Sequence, residues 1–351
     1  KTPHINKMIY QTLVAASLFA LSTAETTSLG SSPRETLKQL WDQFKAQHGR
    51  HYSTMEEEAH RYGVFLENLS LIDARNAVET ARNGGAVHGI TRFSDLTQEE
   101  FEEMYLNPRI AEKMRSLPAN RKTVPPLNGA MGSVDYTGKQ TTAIKDQGNC
   151  GSCWAHAAAQ QMESDGMRQN GNPASLELSV QQLVSCDNGQ GQNGCMGGLQ
   201  EPAFDYVRDN GGIVTAQDYP YTERTGRCDT SKNNYVVGVT SYDFIIADDV
   251  AVTEEQFTSY VLSTGTLSIG VDATTWNTYK SGVMSDCGKG TDINHAVQIV
   301  GVDNSESGWW KIRNSWSADW GEEGNIRISY GSNTCGLATE GGSHVNVFNI
   351  Y

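Results

Sequence analysis

An α+β fold is predicted for the 351-residue chain, with a helical first third and a remainder that mixes one strong helix with short strands. Three observations predict it. The stretch from Ser32 to about Tyr105 is charged and helix-favouring, with apolar side chains at three- and four-residue steps. From about Gly129 the composition turns Gly-rich, and all seven cysteines fall between Cys150 and Cys335. In that second region a helix signal follows Cys153, whereas Ala296–Gly301 and Asn325–Tyr330 read as strands. With 27 Lys+Arg against 41 Asp+Glu the net charge is −14, and no basic run appears. Nucleic acid is therefore not an expected partner, because phosphate neutralisation needs clustered Lys and Arg.

Along the chain, the apolar run Leu13–Leu21 follows Lys1 and Lys7 and precedes the small residues Ser22, Thr23 and Ala24. This is the pattern of a secretory leader, too short to span a bilayer, with Met8 a candidate initiator. Later segments offer no membrane anchor, and the route implied is an oxidising lumen where disulfides persist. A first amphipathic helix is predicted after Pro33, carrying Trp41 and Phe44. A longer one is predicted from about Thr54 to Thr80, where Tyr62, Phe65, Leu69 and Ile72 recur on one face and Asn83-Gly84-Gly85 ends it. Leu106–Asn128 contains Pro108, Pro118, Pro125 and Pro126 without periodicity and reads as an extended linker.

The densest chemical signal is Gln147-Gly148-Asn149-Cys150-Gly151-Ser152-Cys153-Trp154-Ala155, a loop entering a helix. Cys153 at the helix N-terminus would meet unpaired backbone N–H groups, which favour a thiolate and make the sulfur nucleophilic. Such a nucleophile needs a histidine to exchange protons and a third group to orient that ring. Candidates are His295, in Asp292-Ile293-Asn294-His295-Ala296-Val297, and Asn314, in Arg313-Asn314-Ser315-Trp316. Taken alone, Cys150-x-x-Cys153 also fits a redox dithiol or half a zinc site, and His295 alone reads as a structural histidine.

Together these motifs resemble those of the papain-family cysteine protease precursors. Cys150-Gly151-Ser152-Cys153-Trp154 matches the family's nucleophile signature, and Asn314-Ser315-Trp316 with Trp320-Gly321-Glu322-Glu323-Gly324 is similar to its asparagine segment. The likeness covers almost everything after Gly129. It implies a papain-like two-domain catalytic unit, a cleft between a helical half and a β-barrel-like half, and no cofactor or metal. It also implies that Cys153 is the nucleophile, His295 the general acid and base, and Asn314 the orienter. The Gln147 amide and the Cys153 backbone N–H would form the oxyanion hole, and Trp316 would shield the His–Asn contact. Six cysteines permit fifteen pairings. The resemblance selects Cys150–Cys195, Cys186–Cys228 and Cys287–Cys335, leaving Cys153 as a single free thiol, whereas a redox protein would join Cys150 to Cys153.

The N-terminal region resembles the inhibitory propeptide of the cathepsin L-like branch. Glu57, Arg61, Phe65, Asn68, Ile72 and Asn76 reproduce its interspersed helix motif, and Gly89-Ile90-Thr91-Arg92-Phe93-Ser94-Asp95 resembles its second motif, with Thr91 where Asn is usual. The expected organisation is a signal peptide at 1–24, a helical then extended propeptide at 25–128, and a peptidase domain at 129–351. On the long helix Glu57 and Arg61 are spaced to pair. The linker is expected to run backwards through the cleft and block it, and protonation of carboxylates such as Asp95 and Glu57 is expected to weaken that docking in acid. Asn68-Leu69-Ser70 is a glycosylation triplet, but the motif makes Asn68 a structural asparagine first.

The resemblance also places a specificity pocket. Gly197 and Gly198 would bind substrate backbone, while Leu199, Gln200, Gly270, Asn294 and Glu340 would line the pocket for the second residue before the scissile bond. Glu340 at its floor suggests acceptance of Arg as well as Leu or Phe. Gln200 replaces the usual Pro, His156 stands where an aromatic residue is usual, and Asp135-Tyr136 replaces Asp-Trp. The interval Cys195–Cys228 lacks room for a long insertion, which points to an endopeptidase. Expected partners are protein and peptide substrates, the chain's own propeptide, and protein inhibitors of cysteine proteases. A monomer is expected, bound for a lysosome, another acidic vacuole or the cell exterior, with maturation between about Val124 and Ser133.

Overall fold

The computed structural model describes residues 28–107, 121–122, 132–189, 191–245, 254–288, 290 and 292–350. The expected leader, most of the proline-rich linker and the 128/129 boundary lie outside them.

The N-terminal unit holds α1 (Arg34–His48), α2 (Met55–Ala81), β1 (Val87–His88) and α3 (Gln98–Tyr105). Pro33 precedes α1, and Gly49 ends it in the left-handed region at φ 59°. Thr54 caps α2 by accepting from the Glu57 N–H. Trp41 and Phe44 of α1 pack on Phe65, Leu69 and Ile72 of α2 in a core of their own. α3 was not foreseen, although Thr97 and Glu100 form a capping box at its start.

The helix motif works by tethering the chain that follows it. Asn68 donates both amide hydrogens, to Ser94 O and Leu96 O. That buried, doubly committed nitrogen supports a structural role for it over a glycan. Asn76 brackets the His88 peptide, accepting from its N–H and donating to its carbonyl. The expected Glu57–Arg61 pair is not formed. Glu57, in the first turn of α2, accepts from the Ser53 N–H, one residue before the Thr54 cap. Arg61 instead reaches Glu100 at 2.5 Å and the Asp95 carbonyl. Asp95 accepts from Tyr52 and pairs with Arg50. The partners of Glu57 and Asp95 thus lie within the N-terminal unit.

The larger unit contains α4 (Cys153–Asn170), α5 (Val180–Cys186), α6 (Gln200–Asp209) and α7 (Glu254–Ser263). The linker adds β2 (Arg121–Lys122), and the unit's own strands are β3 (Ser133–Asp135), β4 (Val237–Ile245), β5 (Leu267–Val271), β6 (Tyr279–Ser281), β7 (Val283–Met284), β8 (His295–Asp303), β9 (Trp309–Arg313), β10 (Asn325–Ser329) and β11 (Gly342–Asn349). Among the described residues the main sheet runs β2-β4-β11-β5-β8-β9-β10-β7, with β3 added on β8. It is antiparallel except where β2 meets β4 and β7 meets β10. β1 pairs antiparallel with β6, so the N-terminal unit is stitched to the larger one by backbone.

Two cores flank the cleft. One joins the inner faces of β5, β8, β9 and β10 with α7 and α3, and the other surrounds α4, α5 and α6. Between them α4 is buried continuously from Cys153 to Gly166. Several of its polar groups bond across the seam: the Gln298 amide of β8 donates to Gln160 O, the Gln161 side chain and Ser164 Oγ. Buried Arg313, at the end of β9, donates to Thr142 and the Ala143 carbonyl. Buried polar groups satisfied in this way fix one registry between helix and sheet, which a purely apolar seam would leave looser.

Candidate active site

That registry brings the start of α4 against the start of β8. Cys153 is fully buried at the first position of α4, and the Ala296 N–H, next to His295, acts on its sulfur to favour the thiolate. His295 Nε2 meets Asn314 Oδ1 at 2.8 Å. Because Oδ1 can only accept, this bond places a proton on Nε2 and leaves Nδ1 as the nitrogen for other work. Nδ1 is buried without a hydrogen-bond partner. Trp316 stacks on the imidazole with centroids 4.8 Å apart and Trp276 meets it edge-on, so the pair is closed to water.

Gln147 is held from behind and presented forwards. Its Oε1 accepts from Ser315 Oγ and Trp316 Nε1, at 2.8 and 3.1 Å. That turns Nε2 toward the cleft, where it donates to Cys150 O and, at 3.2 Å, to the carbonyl oxygen of Tyr105. A backbone carbonyl of the N-terminal unit therefore rests on the amide expected to hold a substrate oxyanion.

The next residues of that unit continue along the cleft. The Asn107 N–H donates to Asn294 O at 2.5 Å, and its side-chain amide donates to Gly198 O at 3.2 Å. The approach explains the glycine at 197: its φ is 98°, and a Cβ there would lie 2.4 Å from the Asn107 amide nitrogen. A Cβ on Gly198 would run into the Trp154 indole. With the cleft filled, burial governs the titration. Desolvation pushes the Cys153 thiol up to about 11 and the His295 imidazole down to about 4, so both are neutral in this form.

The other residues singled out from sequence fall as follows. Gly270 of β5 sits opposite Ala296 of β8, and the Asn294 N–H bonds Val271 O. Buried Gln200, at the start of α6, donates to Ile269 O beside Gly270. Leu199 is buried and clamped by Gln192 through both backbone groups. Glu340 is half-buried, two residues before Gly342, which pairs with Ile269, so the chain carries it to the same end of β5. Disulfides join Cys150 to Cys195, Cys186 to Cys228, and Cys287 to Cys335, and Cys153 is free.

Sequence reasoning did not find the supports. Ser315 holds Gln147 in place, and Tyr221 bonds both Ser152 Oγ, at 2.6 Å, and the Gln147 carbonyl. His156, which departs from the aromatic pattern, packs edge-on against Tyr221, and its Nδ1 lies 3.0 Å from Ser152 O. The strap Tyr105–Asn107 carried no motif that separates it from the linker it begins.

A nucleophile-bearing helix start facing a His–Asn pair, with an amide donor beside it, defines a thiol hydrolase with a covered site. The chain belongs to the papain family of cysteine proteases: the family's model matches residues 131–345, and that of the cathepsin propeptide inhibitor domain matches residues 41–101. It is 36% identical over 330 residues to cathepsin L 1 of Paramecium tetraurelia, covering 93% of this chain and 96% of that protein. Against cysteine proteinase 2 of Leishmania pifanoi it is 37% identical, over 85% of this chain and 67% of that protein. Among solved structures, a digestive procathepsin L2 proteinase of Tenebrio molitor larval midgut is similar with a TM-score of 0.77 and 28% identity, covering 88% of this chain and 99% of that one. The chain is thus a cathepsin L-like precursor, a cysteine peptidase made with an inhibitory propeptide.

Proposed function

We propose that this precursor is a secreted endopeptidase zymogen in which Cys153, His295, Asn314 and Gln147 carry out peptide hydrolysis through a thioester. Once the strap leaves, water enters the cleft and the desolvation that keeps Cys153 and His295 neutral is relieved. The thiol proton passes to His295 Nδ1 and the thiolate attacks the scissile carbonyl carbon. Negative charge collects on the carbonyl oxygen, held by Gln147 Nε2–H and the Cys153 N–H. Collapse of that intermediate breaks the C–N bond, and the amine leaves with the proton from His295. Water, deprotonated by the same nitrogen, then cleaves the thioester, releasing the acid and restoring the thiol. Asn314 keeps the ring turned for both transfers.

The observation that carries this reading is the Tyr105 carbonyl seated on the Gln147 amide beside the buried Cys153. The same reading assigns residues 1–24 to a leader, 25–128 to the propeptide and 129–351 to the peptidase, with activation in an acidic lumen or outside the cell. Gly197 and Gly198 would hold substrate backbone, and Leu199, Gln200, Gly270, Asn294 and Glu340 would form the selective pocket. Glu340 at one end of it supports turnover of Arg as well as Phe. The test is hydrolysis of matched Phe and Arg peptides by the matured enzyme and by Glu340→Ser. Selective loss of Arg turnover supports the pocket. An unchanged Arg-to-Phe ratio removes Glu340 from it.

A further inference from the structure

Glu57 and Asp95 find their partners within the N-terminal unit, whereas an acid-sensitive contact would need a titratable group on the boundary between the two units. The seam along β1 and β6 holds one. His88 is 4% exposed, and its peptide is fixed on the α2 side by Asn76 and on the β6 side by pairing with Tyr279. Its Nδ1 lies 2.8 Å from Thr278 Oγ1. Arg75 of α2 donates to the same hydroxyl at 2.7 Å and to Asn277 Oδ1. A hydroxyl has one hydrogen. With its oxygen accepting from the guanidinium, that hydrogen is free to point at an unprotonated Nδ1, the arrangement that puts no second cation on the hydroxyl.

We propose that His88, Arg75 and Thr278 form an acid-released latch between the propeptide and the peptidase; the inference deepens the zymogen reading above and rests on it. Protonating His88 would aim an N–H at an oxygen that already receives Arg75 and would set two cations on one hydroxyl in a dry seam. The charged groups on the surrounding elements do not relieve this. Glu79 of α2 is engaged by Ser285 and the Asp286 N–H, and Arg82 of α2 pairs with Asp286. On β6, Lys280 packs its stem at Gly89 and Tyr279 donates its hydroxyl to Gly282 O. On α3, Glu102 accepts from Gln98, which also bonds Thr274 O. Arg75 is the charge His88 feels, and it disfavours the proton.

The direction follows from linkage. Burial, with Arg75, lowers the docked His88 from its ordinary 6.5 to about 4. Its contribution to docking is whole above 6.5 and is lost as pH falls from there toward 4, below which it is constant. At one decade per unit, the loss is at most about 300-fold in the docking equilibrium. The window suits an endosomal or vacuolar lumen.

The test uses the full-length Cys153→Ala chain, which cannot process itself, and follows hydrogen exchange of β1 and β6 from pH 7 to 3.5 after correction for intrinsic rates. In the parent, protection should fall by up to about 300-fold more than in His88→Gln, which keeps a neutral acceptor for Thr278. His88→Lys should be poorly protected at pH 7 already. Parallel profiles for the parent and His88→Gln overturn the latch. If His88→Lys unfolds the α1–α2 core, the Gln comparison alone decides. Peptide hydrolysis after the propeptide of the unmutated chain is cut away by an added protease tests the other reading: its absence ends the peptidase proposal, an outcome distinct from parallel exchange profiles.

Discussion

Glu79 offers the sharpest energetic test of how the propeptide is held. It lies near the C-terminal end of α2, 1% exposed, and among the described residues its carboxylate takes its donors from the peptidase: Ser285 N–H, Ser285 Oγ and the Asp286 N–H, at 2.9, 2.7 and 2.9 Å. Glu79→Ala leaves those three donors facing a void. At about 1 kcal/mol for each stranded donor, the low end of the range because water can enter at the rim, docking weakens by about 3 kcal/mol, or about 150-fold. The assay is native-state hydrogen exchange of the full-length Cys153→Ala chain at pH 7. The amides of Gly85 and Gly89, which bond Val283 O and Thr278 O across the seam, report the opening. Glu79→Gln, which keeps one acceptor oxygen, should fall between parent and Ala. If both variants stay within threefold of the parent, the carboxylate is only filling space and the seam is held by its backbone pairing.

Four further outcomes follow from the same contacts. In the matured enzyme Gln147→Ala should lower kcat about 10²–10³-fold with little change in KM, because it removes a donor aimed at charge that exists only in the transition state. Asn314→Ala, which frees the His295 ring, should lower kcat about 10²-fold, read by the same peptide assay. Phe65→Ala empties the centre of the cluster formed with Trp41 and Phe44, 5.2 and 5.3 Å away. It should destabilise the propeptide by about 3–5 kcal/mol in urea unfolding followed by tryptophan fluorescence. Arg61 hydrogen-bonds Glu100 and holds that carboxyl below its ordinary 4.5. The pair therefore stabilises the propeptide above about pH 4.5 and ceases to as pH falls through the lower folded value, so Arg61→Gln should depress Tm at pH 6 more than at pH 3.

Much of the site was legible because its residues sit in contiguous motifs. The run from Gln147 to Trp154 and the Asn314-Ser315-Trp316 segment each carry their own local geometry, and the helix motif from Glu57 to Asn76 obeys a period that the buried face of α2 displays. What was illegible depends on contacts between distant segments. Glu79 and His88 carry no signature, since a Glu near a helix end and a His before a glycine are ordinary on a surface, and only the pairing of β1 with β6 buries them. The Glu57–Arg61 pairing followed helical spacing correctly but ignored two competitors, a free backbone N–H at the start of α2 and a carboxylate on a helix not foreseen. α5, α6 and most strands are short, and in β5 and β8 burial on both faces erases the alternation that marks a strand.

The central claim is that one thiol, Cys153, does the chemistry and is shut off by the strap from Tyr105 to Asn107. Mass spectrometry of iodoacetamide-treated protein at neutral pH, before and after removal of the propeptide, tests it most directly. The account predicts no label on the intact precursor, and on the matured enzyme one label, at Cys153, with peptide hydrolysis lost in proportion. Rapid labelling of Cys153 in the intact precursor, or full activity in a matured enzyme whose Cys153 is alkylated, would contradict it.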